Sequence, residues 1–301
     1  MPTVLIIGAS QGLGLEWVKY YKQHGYDVIA TTRNLDLAIE LKQTLTGEND
    51  KILQLDVVNE DSVSLAMNQI PEAPDITIYN AGVKGYTKSP DTKATLLNAT
   101  LKAGETSSRD AGRKLAFEVN AHGFDRVIFA LKDKLLAKPQ ATVAYISTGV
   151  AETSQNTSGG YPFYRQSKAA GESYAKEYDE DFRQVPDCTP TSRPRVFSLI
   201  PGLVNTGMGA GIDGAAEPVK RVAEMAAVIK HVKLTGDTYG VWKYDGTKNM
   251  QHDLPESVAN VFNTDTKDSA AKILANVGLY QIEKNATAEN QINETKFANG
   301  K

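Results

Sequence analysis

The chain has one cysteine, Cys188, among 301 residues. It cannot close an intramolecular disulfide, so nothing asks for an oxidising compartment. Histidine is scarce too. His24, His122, His231 and His252 show no ligand spacing, which argues against a zinc site. The first apolar run, "TVLIIG" at 3–8, is too short to span a bilayer. It also lacks the basic start and the cleavage site of a secretory signal, so it reads as a strand. Charge of one sign is missing as well. Lys and Arg number 33 against 36 Asp and Glu, a formal net charge of −3. Neither nucleic acid nor an anionic membrane is an expected partner. Four Asn-x-Ser/Thr triplets, at Asn98, Asn156, Asn285 and Asn293, are not expected to carry glycans without such a signal. A cytoplasmic location is the expectation.

What is present is an alternation. Short β-branched and aliphatic runs occur at 3–8, 27–32, 51–57, 75–80, 141–147 and 195–201. Segments of helical spacing lie between them, at 13–23, 34–46, 60–70, 112–137 and 164–184. Near-continuous apolar strands separated by helices predict a parallel sheet covered on both faces, a doubly wound α/β domain. A helix over 216–233 and a strand over 238–244 would complete it. The reading is one domain over 1–249. Beyond it, 250–301 turns rich in Asn, Thr, Lys and Ala, and is expected to be partly helical and partly disordered.

The loop "GASQGLG" at 8–14 joins the first strand to the first helix. Gly8 would allow a sharp turn, Gly12 a close approach of pyrophosphate to the backbone, and Gly14 tight helix–sheet packing. Free N–H groups at a helix N-terminus favour an anion there. The second strand ends "VIATTRN", with Thr32 and Arg33 where an acidic residue would read an adenosine ribose. A guanidinium suits a 2′-phosphate, so the dinucleotide is read as NADP(H) rather than NAD(H). Downstream, "YRQSK" puts Tyr164 four residues before Lys168 on one helix face. A phenol needs its pKa lowered to serve as a proton donor or acceptor, and a nearby ammonium does that. Tyr161 has Arg165 at the same offset, so Tyr164 is the better candidate.

With these motifs in this order, roughly residues 3–247 resemble the single-domain branch of the short-chain dehydrogenase/reductase family. The "NTSGG" filler at 156–160 is similar to that of small carbonyl reductases of the C-factor and Sniffer type. The resemblance implies a Rossmann-type sheet and a catalytic set of Tyr164, Lys168, a strand-end hydroxyl and Asn120. The hydroxyl is Thr148 or Ser147. The family's second-position hydroxyl favours Thr148, and neighbours on a strand point opposite ways, so both cannot serve. In the family the Asn carbonyl holds a water that leads to the lysine. The cofactor set implied is Gly8, Ser10, Gln11, Gly12, Leu13, Gly14, Arg33, Asp56, Val57, Asn80, Ala81, Gly82, Tyr164, Lys168, Pro201, Gly202, Val204 and Thr206.

The expected activity is NADP(H)-dependent interconversion of an alcohol with a ketone or aldehyde, in a homodimer or homotetramer. The alternative from another class is a dinucleotide-binding redox sensor without turnover. Such proteins often lose the Tyr or the Lys, and this chain keeps both. Pocket walls are expected from 83–117, 149–163 and 203–220, with the glycine-rich 207–215 read either as a lid or as a disordered loop with no substrate role. The 83–117 segment is longer than the family norm. Tyr161, Phe163 and Met208 favour an apolar or aromatic carbonyl.

Overall fold

The computed structural model describes residues 1–85, 106–154, 156–157, 159–186, 188–189 and 192–249. The expected extension at 250–301 and the greater part of the long 83–117 segment lie outside the described residues.

Among the described residues, eight strands form one sheet in the order β3-β2-β1-β4-β5-β6-β7-β8. They are β1 (Thr3–Ile7), β2 (Asp27–Thr32), β3 (Lys51–Gln54), β4 (Ile76–Tyr79), β5 (Thr142–Ile146), β6 (Arg195–Ile200), β7 (Val241–Lys243) and β8 (Lys248–Asn249). The first seven pair in parallel, and β8 returns antiparallel beside β7. The central strands are buried along their whole length, which is why they read as unbroken apolar runs rather than alternating ones.

Helices cover both faces. Val4, Ile6, Val28, Ala30, Ile78 and Ala144 pack against α1 (Gly12–Gln23) and α7 (Pro218–Thr235). The alternate residues Leu5, Ile7, Tyr79, Val143 and Tyr145 face α3 (Glu60–Asn68), α5 (Gly123–Ala137) and α6 (Pro162–Gln184). The strand order reverses between β1 and β4, which opens a crevice at the carboxyl ends of the strands.

Two helices differ from expectation. The segment predicted over 34–46 is helical only at Ile39–Thr44, here α2. Asn34 Oδ1 accepts from the Asp36 N–H (2.8 Å), a local turn that competes with helix. The helix predicted over 112–137 starts earlier, as α4 (Thr106–Phe117), and passes through one π-helical turn at Glu118–His122 before α5. Tyr79 and Tyr145, register partners on β4 and β5, donate into that turn. Their hydroxyls lie 2.5 Å from the Val119 carbonyl and 2.6 Å from the Asn120 carbonyl. The wide turn thus turns backbone acceptors toward two buried phenols that need partners.

No helix among the described residues is long and apolar enough to cross a membrane.

Candidate active site

The crevice is a cleft of about 790 Å³, within the usual range of small-molecule sites. At one end the β1–α1 loop forms its floor through Gly8, Ser10, Gln11, Gly12 and Leu13. Gly8 has φ +80°, a left-handed conformation that glycine adopts without strain. Gly14 stands outside the lining. A Cβ there would come within 2.1 Å of the Gly8 carbonyl and 2.8 Å of Asn80 Nδ2, so its absence lets α1 start against the sheet. Asn80 ties β4 to the same loop, donating from Nδ2 to the Gly8 carbonyl (3.0 Å).

Arg33 lies exposed on the rim beside Thr32, and Asp56 and Val57 line the cleft after β3. Ala81 and Gly82 continue the wall after β4, and Pro201, Gly202, Val204 and Thr206 close it after β6. The expected 207–215 loop is pinched at its neck by pairing of Val204 with Ala216. Leu203, Met208 and Ile212 present exposed apolar surface there.

At the other end, β5 and α6 bring the proposed chemical groups together. Pro162 opens α6, and the row Tyr164–Lys168 faces the end of β5. The Thr148 hydroxyl lines the cleft beside the Tyr164 phenol and pulls its pKa down. Ser147, the neighbouring hydroxyl, instead donates to Glu172. The two strand-end hydroxyls thus have different partners, and Thr148 is the one beside the phenol.

The electrostatics differ from expectation. Lys168 was expected to lower the Tyr164 pKa. Burial raises Tyr164 above its ordinary value, and the group that opposes this is Thr148. Lys168 is 3% exposed. Burial pulls its pKa down to about 7, against the attraction of Glu172. Its ammonium donates to the Ile146 carbonyl (2.6 Å) and stands 4.8 Å over the Tyr145 ring.

Asn120 also stands behind the lining. It is fully buried in the π-helical turn. Its side chain accepts from the Val83 N–H (2.8 Å) and donates to the Val83 carbonyl (2.8 Å) and to Ser167 Oγ (2.9 Å). The carbonyl that the resemblance assigns to a water accepts from Tyr145. Asn120 therefore braces the wall after β4 against α6.

Three residues in or behind the cleft wall escaped sequence reading. Glu172 sits one turn beyond Lys168. Lys84 donates to the Met208 carbonyl (3.0 Å) and lies 5.1 Å over the Tyr161 ring, linking the lips of the cleft. Arg165, at the lysine offset from Tyr161, fastens the loop before α6 by donating to the Val150, Gly159 and Gly160 carbonyls. The Tyr-to-Lys offset itself pointed toward Glu172, since one more step of four along α6 reaches it.

A 1-hydroxy-2-glutathionyl-2-methyl-3-butene dehydrogenase of Rhodococcus sp. is 26% identical over 82% of this chain and 98% of its own. A probable NADP-dependent dehydrogenase of Haemophilus influenzae is 37% identical over 27% of this chain, a match that spans only a third of that protein (33%). Among solved structures, the carbonyl reductase Sniffer of D. melanogaster matches with a TM-score of 0.67 at 24% identity, over 82% of this chain and 98% of that one. A short-chain dehydrogenase/reductase from Burkholderia multivorans with bound NADP matches at 0.66 and 23% identity, over the same shares. These likenesses in structure speak for the fold. The family model for short chain dehydrogenase runs over residues 2–217, from β1 to the start of α7 and through every part of the cleft described above. The chain belongs to the short-chain dehydrogenase family.

Proposed function

We propose that the chain is an NADP(H)-dependent oxidoreductase that interconverts an alcohol with a ketone or aldehyde. One observation carries this reading: the Tyr164 phenol, with the Thr148 hydroxyl acting on it, lies one turn before Lys168 in the same cleft as the glycine loop. The cleft fits a dinucleotide. The β1–α1 loop brings backbone N–H groups and a helix N-terminus to it, and Arg33 offers a guanidinium at the rim after β2. The names of several relatives, among them an NADPH-dependent pterin aldehyde reductase of Arabidopsis thaliana, support the same cofactor.

When bound, the nicotinamide would supply or accept the hydride. The chain's own residues would do the rest. Gly8, Ser10, Gln11, Gly12 and Leu13 would hold the pyrophosphate, and Arg33 the 2′-phosphate. Asp56 and Val57 would border the adenine. Asn80, Ala81, Gly82, Pro201, Gly202, Val204 and Thr206 would form the walls around the ring. Thr148 would donate to the substrate oxygen and Tyr164 would deliver or take its proton. Lys168 would hold the ribose hydroxyls. Val83, Val150, Tyr161, Leu203, Met208 and Ile212 make the remaining wall largely apolar. That supports an apolar or aromatic carbonyl as substrate.

The test is NADPH consumption, followed by absorbance, with a panel of aldehydes, ketones and diketones, and with NADH as control. Turnover with NADPH and at least about tenfold less with NADH is expected, since one charge-assisted contact is worth about 1.5–3 kcal/mol. Arg33→Ala should narrow that gap. NADPH binding without turnover of any carbonyl would overturn the reading in favour of a sensor.

A further inference from the structure

Three consecutive residues at the end of β5 are each held by a different residue of α6. The Ile146 carbonyl accepts from Lys168 (2.6 Å). The Ser147 hydroxyl donates to Glu172 Oε1. The Thr148 hydroxyl lines the cleft beside Tyr164 and acts on its phenol. Tyr164, Lys168 and Glu172 follow at steps of four, so they form one row on the face of α6 turned toward the sheet. The proposed mechanism uses the first two and leaves the third without a task.

Glu172 is not an ordinary surface carboxylate. It is half-buried, and its partner Ser147 is only 2% exposed. A hydroxyl satisfies a carboxylate's hydrogen bonding but does not neutralise its charge. The other groups acting on Glu172 are Glu152, which repels its charge, and Lys168, which attracts it. Lys168, one helical step before Glu172, is attracted by it without a direct ion pair, and stands over the face of the Tyr145 ring.

We propose that Glu172 is a positioning residue of this site: through Ser147 it fixes the strand end that carries Thr148, and its carboxylate is the counter-charge of the Lys168 ammonium. The assignment rests on the reading of Lys168 as the ribose-holding group. Its consequence is a pH range. Burial pushes Glu172 up to about 7, with Ser147 opposing. As it ionises, its charge holds the Lys168 pKa above the value that burial alone would impose.

Glu172→Gln separates charge from shape. The amide keeps an acceptor oxygen for Ser147 and loses the charge. Glu172→Asp restores the charge on a shorter stem. The NADPH dissociation constant of the full chain, read by fluorescence between pH 6 and 10, should weaken on the alkaline side as Lys168 loses its proton. In Glu172→Gln that midpoint should fall by about one pH unit, the ordinary size of a single charge–charge effect, and Glu172→Asp should recover most of it. Ser147→Ala should lower the midpoint less than Glu172→Gln, because the carboxylate remains although it ionises at higher pH. An unchanged midpoint in Glu172→Gln, or one in Glu172→Asp that matches Glu172→Gln, would overturn the proposal. If the wild type binds no NADPH, the same comparison is read from the pH dependence of the melting temperature, to which Lys168 contributes with or without ligand. If NADPH binds and the midpoints move as stated but no carbonyl turns over, the proposed activity falls and the role of Glu172 stands.

Discussion

Along α6, Lys168 and Asp179 are both buried charges, roughly three turns apart, in opposite surroundings. Asp179 lies toward the far end of α6, away from the cleft, where its carboxylate accepts from Arg193 Nη1 (2.8 Å), the Val196 N–H (3.1 Å), Arg183 Nη2 (2.9 Å) and Thr238 Oγ1 (2.5 Å). Burial pushes its carboxyl up, but these partners together outweigh burial and hold it below the usual range. Lys168, in the cleft, has one carbonyl as hydrogen-bond partner and the attraction of one carboxylate, and burial wins. A buried charge surrounded by donors is an anchor. One left short of partners is poised to change state, and such groups gather where chemistry is done.

The largest expected effect comes from removing the proposed proton donor at the cleft end. Tyr164→Phe should lower kcat for carbonyl reduction by about 10²–10⁴-fold, the usual worth of a positioned acid or base, with little change in the melting temperature. Steady-state kinetics beside a thermal melt reads both. At the anchor end the outcome should be reversed. Asp179→Asn leaves Arg193 without its counter-charge and should cost about 3–5 kcal/mol, read as a lower urea midpoint. The kcat of the folded fraction should stay within about twofold, because distant sites act independently. A loss of kcat in Asp179→Asn that exceeds its loss of stability would erase the distinction.

The same contrast separates what the sequence shows from what it hides. The strands of the buried parallel sheet announce themselves as apolar runs, and the glycine loop and the Tyr164–Lys168 pair are local patterns a few residues long. Beyond Arg183, one helical step away, the partners of Asp179 are Arg193, Val196 and Thr238, the last of them 59 residues away. No periodicity brings them together. Glu172 was hidden for a related reason: its meaning depends on Ser147, which reaches it from another element. The π-helical turn at Asn120 is equally silent, because it exists where two tyrosines from β4 and β5 claim its carbonyls. The expectation that Lys168 tunes Tyr164 followed from helix geometry alone. It left out burial, which in this structure moves both groups away from their charged forms.

A smaller effect should appear in stability against pH. The Lys168 pKa falls from 10.5 in an exposed chain to about 7 when folded. Its burial therefore costs stability in full below about pH 7, and the cost fades between about 7 and 10.5. The Glu172 pKa rises from 4.5 to about 7 on folding. The folded chain then holds a proton that the unfolded chain has lost, so stability falls between pH 4.5 and 7. The two trends meet in a dip near neutrality. Asp179 works the other way. Its contribution is present above the unfolded carboxyl value, near 3.9, and is lost only as pH falls through its depressed folded value. Melting curves across pH 4–10 should show the dip in the wild type. A Lys168→Met, Glu172→Gln double variant should flatten it and melt higher at pH 7. A dip that persists in the double variant would place its source elsewhere.

The smallest effect concerns strain, which the cleft end of α6 carries in its N-cap residue. Tyr161 has φ 51° and ψ 47°, a left-handed conformation that costs a non-glycine residue about 1–3 kcal/mol. Gly159 and Gly160 before it have φ 58° and 79°, so the whole approach to α6 is left-handed. Asparagine tolerates that region better than tyrosine. Tyr161→Asn should therefore raise stability by up to about 1 kcal/mol. The ring, 38% exposed, forms part of the cleft wall beneath Lys84. Losing it should raise KM for bulky apolar carbonyls several-fold, about 1 kcal/mol of lost apolar burial, while kcat holds. Tyr164 and Tyr161 would then divide the work, one acting on the proton and the other on the shape of the substrate. If Tyr161→Asn instead destabilised the fold and left KM alone, the ring would be part of the loop's own packing, and the strain would belong to the scaffold rather than to the site.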